Sequence, residues 1–272
     1  MRISILFFII LLSLISNISH AAPIQGLVLY FQFDEGEGNT TKDLSGNGND
    51  GTLMGQPEWV DGKNGFALQF SGERNSDYVE VPDNPSLTPA QELSFAAWIY
   101  FDTFIGSGGI VSKYIGAGSQ RSYTMHLHHD NPMGLAVDCS ADGSYQAGVT
   151  AVSVGTEAGA LVESEWQHVA MTFRAKDMLR LYVNGEMKAE GGADPVDALF
   201  DNDVPLLVGN DFQLGGSHRA GQPREFTGII DEVAIFNRVL SEAEIQQVMN
   251  AMIMPVESVG KLAAAWGAIK KL

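Results

Sequence analysis

Leu179-Arg180-Leu181-Tyr182-Val183-Asn184-Gly185 decides how the chain is to be read. Apolar and polar positions alternate from Leu179 to Val183, the period of a strand with one buried face. Asn184-Gly185 then supplies two residues that tolerate positive φ, as a two-residue type I′ turn requires. A paired strand is therefore expected to return from Glu186. The same rhythm recurs on both sides of this hairpin. Leu27, Leu29, Phe31 and Phe33 fall on alternate positions. Short apolar or alternating runs follow at Ala67 to Phe70, Tyr78 to Val81, Leu93 to Tyr100, Gly109 to Lys113 and Tyr123 to Leu127, then at His168 to Phe173, Pro205 to Val208 and Phe226 to Phe236. Gly, Asn, Asp and Pro separate them, and helical periodicity is scarce between Pro23 and Pro223. Many short antiparallel strands imply an all-β sandwich or barrel. Ser140 to Gly159, rich in Ala, Gly, Ser and Val, reads equally as strand or loop.

One helix is expected late. Ser241 and Glu244 have the spacing of a capping box, and Ile245, Val248 and Met249 then share one face. From Met254 to Leu272 the chain carries Leu262, Trp266 and Ile269 at helical spacing, with Lys261, Lys270 and Lys271. This tail, taken as 253–272, reads as an amphipathic helix or as a frayed terminus. At the other end Arg2, the apolar run Ile3 to Ile15 and Ser19-His20-Ala21 follow the order of a secretory signal peptide over residues 1–21. The expected location is extracellular or in the cell envelope, with one domain over 22–252 and no transmembrane segment in the mature chain.

Sixteen Lys plus Arg against 33 Asp plus Glu give a net charge of −17. Such a surface repels nucleic acid and anionic membranes and is compatible with cation binding. Cys139 is the single cysteine, so no intrachain disulfide can form and the core must hold the fold. It reads as a small buried side chain.

Four stretches in order resemble the laminin-G-like jellyroll domain of the concanavalin A-like lectin and glucanase superfamily. They are Tyr30 to Gly36 with Asp43 to Thr52, Tyr78 to Asp83 with Leu93 to Tyr100, Glu165 to Ala170 with the Leu181 to Gly185 hairpin, and Gly228 to Arg238 with Leu240 to Glu242. The resemblance implies a two-sheet antiparallel jellyroll sandwich with its first and last strands side by side, one short C-terminal helix and a possible helical tail. The fold serves lectins, adhesion modules and hydrolases alike, so it does not settle function.

Hard cations take several oxygen ligands from loops. Asp34 closes the first strand, and Asp43, Asn47, Asn49 and Asp50 cluster in the following loop. The family commonly holds calcium at this edge, and Asp34, the Asn47 to Asp50 loop and Asp231 occupy the matching motif positions. The expected metal ligands are Asp34, Asp43, Asn47, Asn49 and Asp231, for a structural calcium. The same Asn and Asp residues also serve Gly-rich turns without a metal. Asp231 stands within an apolar strand and needs a partner if buried.

His126 and His128 are two apart and project from one strand face, which reads as a solvent-facing surface or as the beginning of a metal or ligand site. Trp98 and Trp166 are expected in the core. Sugars stack on aromatic rings while polar groups take the hydroxyls. Trp59, Tyr114, Tyr145 and Phe212, all in loop-like surroundings, are candidate platforms, or covers for the sandwich edges. No Glu-x-Asp-x-x-Glu pattern, nucleophile elbow or His-Glu-x-x-His motif occurs. The expected function is a secreted, non-catalytic carbohydrate-binding or adhesion module whose partner is a glycan or an extracellular protein. A protein-interaction or structural envelope module and a divergent glycoside hydrolase are the alternatives.

Overall fold

A computed structural model describes residues 24–72, 77–116, 118–211 and 224–250. The 1–21 segment, the 253–272 tail and Phe212 lie outside the described residues. In chain order the first strands are β1 (Leu27–Phe31), β2 (Thr40–Thr41), β3 (Gly51–Met54), β4 (Glu58–Asp61), β5 (Phe66–Ser71), β6 (Tyr78–Val81), β7 (Glu92–Tyr100) and β8 (Gly109–Ile115). Then come β9 (Gln120–Leu127), β10 (Leu135–Gly143), β11 (Ala151–Gly155), β12 (Gln167–Arg174), β13 (Met178–Val183), β14 (Glu186–Gly192), β15 (Leu206–Val208) and β16 (Thr227–Phe236), followed by helix α1 (Glu242–Asn250). They form two antiparallel sheets. The first runs β14-β13-β12-β7-β16-β5-β4 with β1 also on β16, and the second runs β11-β10-β9-β8-β15-β6-β3-β2.

The expected hairpin is present: Asn184 and Gly185 have φ of 51° and 76°, and Glu186 pairs with Val183. First and last strands lie together, Leu27 opposite Phe236 and Phe31 opposite Val233. Beyond β1, Phe33 is buried as well. But Val28 and Tyr30 are as buried as Leu29 and Phe31, because β1 is covered on both sides. Ser140 to Gly159 resolves into the end of β10, a turn and β11. Trp98 and Trp166 are half-buried rather than interior. Trp98 stands opposite His168 with ring centroids 5.4 Å apart, and Trp166 packs on Tyr100.

The two faces of the second sheet can be read off its register. Val154, Val137, Met125, Val111, Val208, Val79 and Leu53 form one row across it, and all belong to the buried core. The adjacent row, Ser153, Asp138, Thr124, Ser112, Leu207, Glu80 and Thr52, is predominantly polar. Because side chains alternate between faces, it lies on the side away from the core.

Helix α1 covers the outward face of the first sheet. Ala234, Ala96 and Ala170 stand opposite one another across β16, β7 and β12. Three small side chains in register leave a shallow trough on the first sheet, and Ile245 and Val248 of α1 pack there with Tyr30, Tyr182 and Phe236. The capping box holds the helix start: the Ser241 amide donates to Glu244 Oε2 at 2.9 Å, and the Glu244 amide donates to Ser241 Oγ at 3.3 Å. Hydrogen bonding to Arg238 is the main reason the Glu244 carboxyl falls to about 2.

A buried cation closes one end of the second sheet. The ammonium of Lys113 in β8 is fully buried. It donates to Asp83 Oδ1 at 2.6 Å, to Asn202 O and Oδ1 at 2.9 Å each, and to Val204 O at 2.8 Å. Burial lowers its pKa while Asp83 opposes the shift. The single charge ties β8 to the segments around Asp83 and Asn202.

Candidate functional site

The expected metal ligands separate into two places. In the loop after β1, Asp43 organises the chain around itself. Its Oδ1 accepts from the amides of Tyr30 and Ser45 at 3.0 and 2.9 Å, and its Oδ2 from Ser45 Oγ and the Asn49 amide at 2.8 and 3.0 Å. Asn47 Nδ2 donates to Leu27 O at 3.2 Å, and Asn49 Nδ2 to Val28 O at 2.7 Å. These residues fasten the loop to β1, and the buried Asn49 Oδ1 is left without a partner.

Asp34 and Asp231 meet elsewhere, at the turn before β5. Asp34 Oδ1 accepts from the Phe66 amide at 3.0 Å. Asp231 Oδ2 accepts from the amides of Lys63 and Asn64 at 2.8 and 3.1 Å. Gly65, at φ 59°, lies where a side chain would collide with the Asp34 carboxylate. Glu232 joins them through Tyr30 OH and Asn64 Nδ2. Burial is the main reason the Asp231 carboxyl rises to about 7, and it raises Glu232 as well. The Lys63 ammonium sits over the Trp98 ring instead, 4.3 Å from its centroid. Among the described residues no three His, Cys, Asp or Glu side chains are grouped so as to hold a metal ion.

The other cluster is the polar row on the second sheet. His126, expected at a solvent-facing surface, is 2% exposed. Its Nδ1 donates to Leu127 O at 2.9 Å and its Nε2 to Asp138 Oδ2 at 3.4 Å, so both ring nitrogens act as donors, as in an imidazolium. Burial opposes that charge, but the hydrogen bond and charge of Asp138, with Asp211, lift the His126 pKa. Burial also pushes Asp138 up, yet His126, Ser153 and Arg224 together hold it below the usual carboxylate value. Asp211 is fully buried beside them, with Oδ2 3.1 Å from Arg224 Nη1 and Oδ1 3.5 Å from Ser112 Oγ; burial raises its pKa. His128 turns aside, accepting from the amides of Asp130 and Asn131 and stacking on His129.

Several buried atoms on this face have no partner: Ser122 Oγ, Thr124 Oγ1, Asn210 Nδ2 and Arg121 Nε. A buried polar group without a hydrogen bond costs about 1–3 kcal/mol, so four in one region call for something that supplies the bonds. Two of the expected aromatic platforms border the same face. Tyr114 is in β8 rather than a loop, with Arg121 over its ring at 5.6 Å. Tyr145 stands 42% exposed in the turn after β10. Trp59 lies apart in edge strand β4, its Nε1 donating to Gly38 O at 3.0 Å. Asp138, Asp211, Arg224 and the unpartnered hydroxyls did not stand out in sequence, although a carboxylate inside the apolar run Leu135 to Cys139 raises the same question as Asp231.

Comparisons with known proteins agree with this architecture. Solved structures share the fold at low identity. The binding domain of Paraclostridial Mosquitocidal Protein 1 is 18% identical, with a TM-score of 0.64 over 83% of this chain and 52% of that one. Domain 4 of an extracellular arabinanase from Geobacillus stearothermophilus, solved with arabinotriose, is 18% identical, with a TM-score of 0.56 over 82% of this chain and 98% of that one. The binding domain of Botulinum neurotoxin DC, solved with SialylT, is 15% identical, with a TM-score of 0.58 over 83% of this chain and 51% of that one. The chain thus spans about half the length of the toxin domains it resembles. No curated protein matches the sequence. Residues 72–246, more than half of the 272, match the family Laminin_G_3. With its paired first and last strands, its two antiparallel sheets and that match, the chain belongs to the concanavalin A-like lectin and glucanase superfamily.

Proposed function

We propose that this protein is an extracellular, non-catalytic glycan-binding module whose ligand lies on the outward face of the second sheet. The observation that carries the reading is the set of buried, unpartnered polar atoms on that face, Ser122 Oγ, Thr124 Oγ1 and Asn210 Nδ2, bordered by the rings of Tyr114 and Tyr145. Sugar hydroxyls both donate and accept, and so can satisfy all three, while the rings supply apolar contact. The described acidic side chains at its centre already have partners, Asp138 in His126 and Asp211 in Arg224. Fixed ion pairs suit the holding of a ligand better than proton transfer to one. Similarly folded domains solved with arabinotriose and with SialylT support the same ligand class. Titration calorimetry with a panel of oligosaccharides tests it. Thr124→Val, which exchanges a hydroxyl for a methyl outside the core, is expected to weaken binding about tenfold, the worth of one hydrogen bond. A folded protein that binds none of the panel would remove this function.

A structural calcium belongs to the same proposal, at Asp34 and Asp231 with Glu232 beside them. It would neutralise the acidic charge gathered there, and hard oxygen ligands suit it. The Asp43, Asn47 and Asn49 loop would then act by bracing β1. A ligand bound only by the folded state raises the unfolding temperature. Millimolar calcium is expected to raise that temperature by several degrees over chelator, and Asp34→Ala to abolish the rise. Identical transitions with calcium and with chelator would leave the carboxylates as turn chemistry.

A further inference from the structure

Given the glycan-binding reading, on which this rests, the arginines of the chain bear on which glycan is bound. Five arginines fall among the described residues, and four are committed to carboxylates: Arg174 to Glu92, Arg180 to Glu190, Arg224 to Asp211 and Arg238 to Glu244. Arg121 alone among the five has no carboxylate partner, in a chain with 33 acidic residues. The register slip between Lys113 and Tyr114 sets Arg121 opposite Tyr114, and its guanidinium lies over that ring. The slip is a bulge, a device that re-aims a side chain at a strand end. Ser122 and Thr124, next along the same strand, are fully buried, and their hydroxyls are unpartnered. From Arg121 to Thr124 is about 10 Å of strand, and the buried Nε of Arg121 is a further unpartnered donor on it.

We infer that Arg121, seated on Tyr114 and flanked by the hydroxyls of Ser122 and Thr124, binds the carboxylate of a uronic acid residue in the glycan. Guanidinium groups are planar forks whose paired N–H donors match the two oxygens of a carboxylate. Stacking on a ring leaves the edge of the fork free to do so. One unpaired cation balances one negative charge, which suits a carboxylate better than a doubly charged phosphate so close to Asp138 and Asp211. The net charge of −17 slows the approach of an acidic chain, but charges more than about 8 Å away are largely screened at physiological salt. The local pair therefore governs affinity, and the repulsion governs the rate of encounter.

The test compares trigalacturonate, its methyl ester and the neutral galactotriose by titration calorimetry on the full chain. Trigalacturonate is expected to bind at least tenfold more tightly than its ester, with the difference shrinking as salt is raised. Arg121→Gln is expected to erase that difference, lowering the affinity for trigalacturonate to that for its ester. Equal binding of acid and ester, or a preference that survives in Arg121→Gln, overturns the inference while the glycan reading stands. Failure of all three ligands and of the wider oligosaccharide panel defeats the glycan reading as well. Tighter binding of a sulfated trisaccharide than of trigalacturonate overturns the carboxylate assignment. Should Arg121→Gln not fold, the comparison of acid with ester on the unaltered chain still decides the matter.

Discussion

Replacing Lys113 with methionine is expected to destabilise the protein by about 3–5 kcal/mol, as when one partner is removed from a buried ion pair. Methionine keeps the unbranched stem, one atom shorter, but none of its three donors. Four oxygens, from Asp83, Asn202 and Val204, now surround the ammonium at 2.6 to 2.9 Å. Without it the Asn202 and Val204 carbonyls would face one another inside the protein. Water can reach Asp83, whose side chain is 33% exposed, but not all of the cage. Arginine is not a conservative replacement either, because a planar fork does not fit a site built around a compact ammonium. Urea unfolding of the variant against the parent measures the effect, and for a domain of this size the unfolding temperature should drop by roughly 10 °C. A loss below about 1 kcal/mol, the level of an exposed pair, would show that the cage collapses or hydrates freely.

His168 provides the second large effect, and it depends on pH. The ring is 1% exposed and its Nδ1 has no hydrogen-bond partner. Burial lowers its pKa from 6.5 to about 3. Between those values the unfolded chain binds a proton that the folded chain does not, so stability falls as the pH falls through this window. At about 1.4 kcal/mol per pH unit, His168 should cost about 3 kcal/mol at pH 4.5 and about 5 kcal/mol once the pH is below 3. His168→Leu keeps an apolar contact with Trp98 and removes the titration. The stability difference between parent and variant should therefore shift in favour of the variant by about 3 kcal/mol between pH 7 and pH 4.5. Denaturant midpoints of both proteins at the two pH values give the answer, and parallel pH profiles would rule His168 out as the cause of acid sensitivity.

Where signals were local, the sequence could be read directly. The Asn184-Gly185 turn and the Ser241–Glu244 capping box lie in short motifs whose chemistry is self-contained, whereas the pairing of first with last strand was implied only by the family resemblance. Ser140 to Gly159 resisted because its outward positions in β10 and β11 carry small or polar residues, so alternation is faint beside the turn residues. The polar face of the second sheet was harder still. His126 is twelve positions from Asp138 in the chain, and Asp211 is far from both. Only the register of β8, β9, β10 and β15 brings the three together, and register is set by the whole sheet. Asn47 and Asn49 illustrate the converse difficulty. Their residue types suit metal ligands and turn fasteners equally, and only the direction of each donor toward β1 shows the second role.

The pairing of β1 with β16 has a consequence for how the protein is made. Leu27 finds its partner Phe236 only after nearly all of the intervening chain has left the ribosome. Contacts so distant in sequence are slow to form, because the loop between them must close before they give any stabilisation. Until then the apolar segment from Val28 to Phe31 has neither its strand partner nor the helix that covers it. The nascent protein thus carries an exposed sticky segment until β16 has been made, and helix α1, made after it, then covers the Tyr30 side.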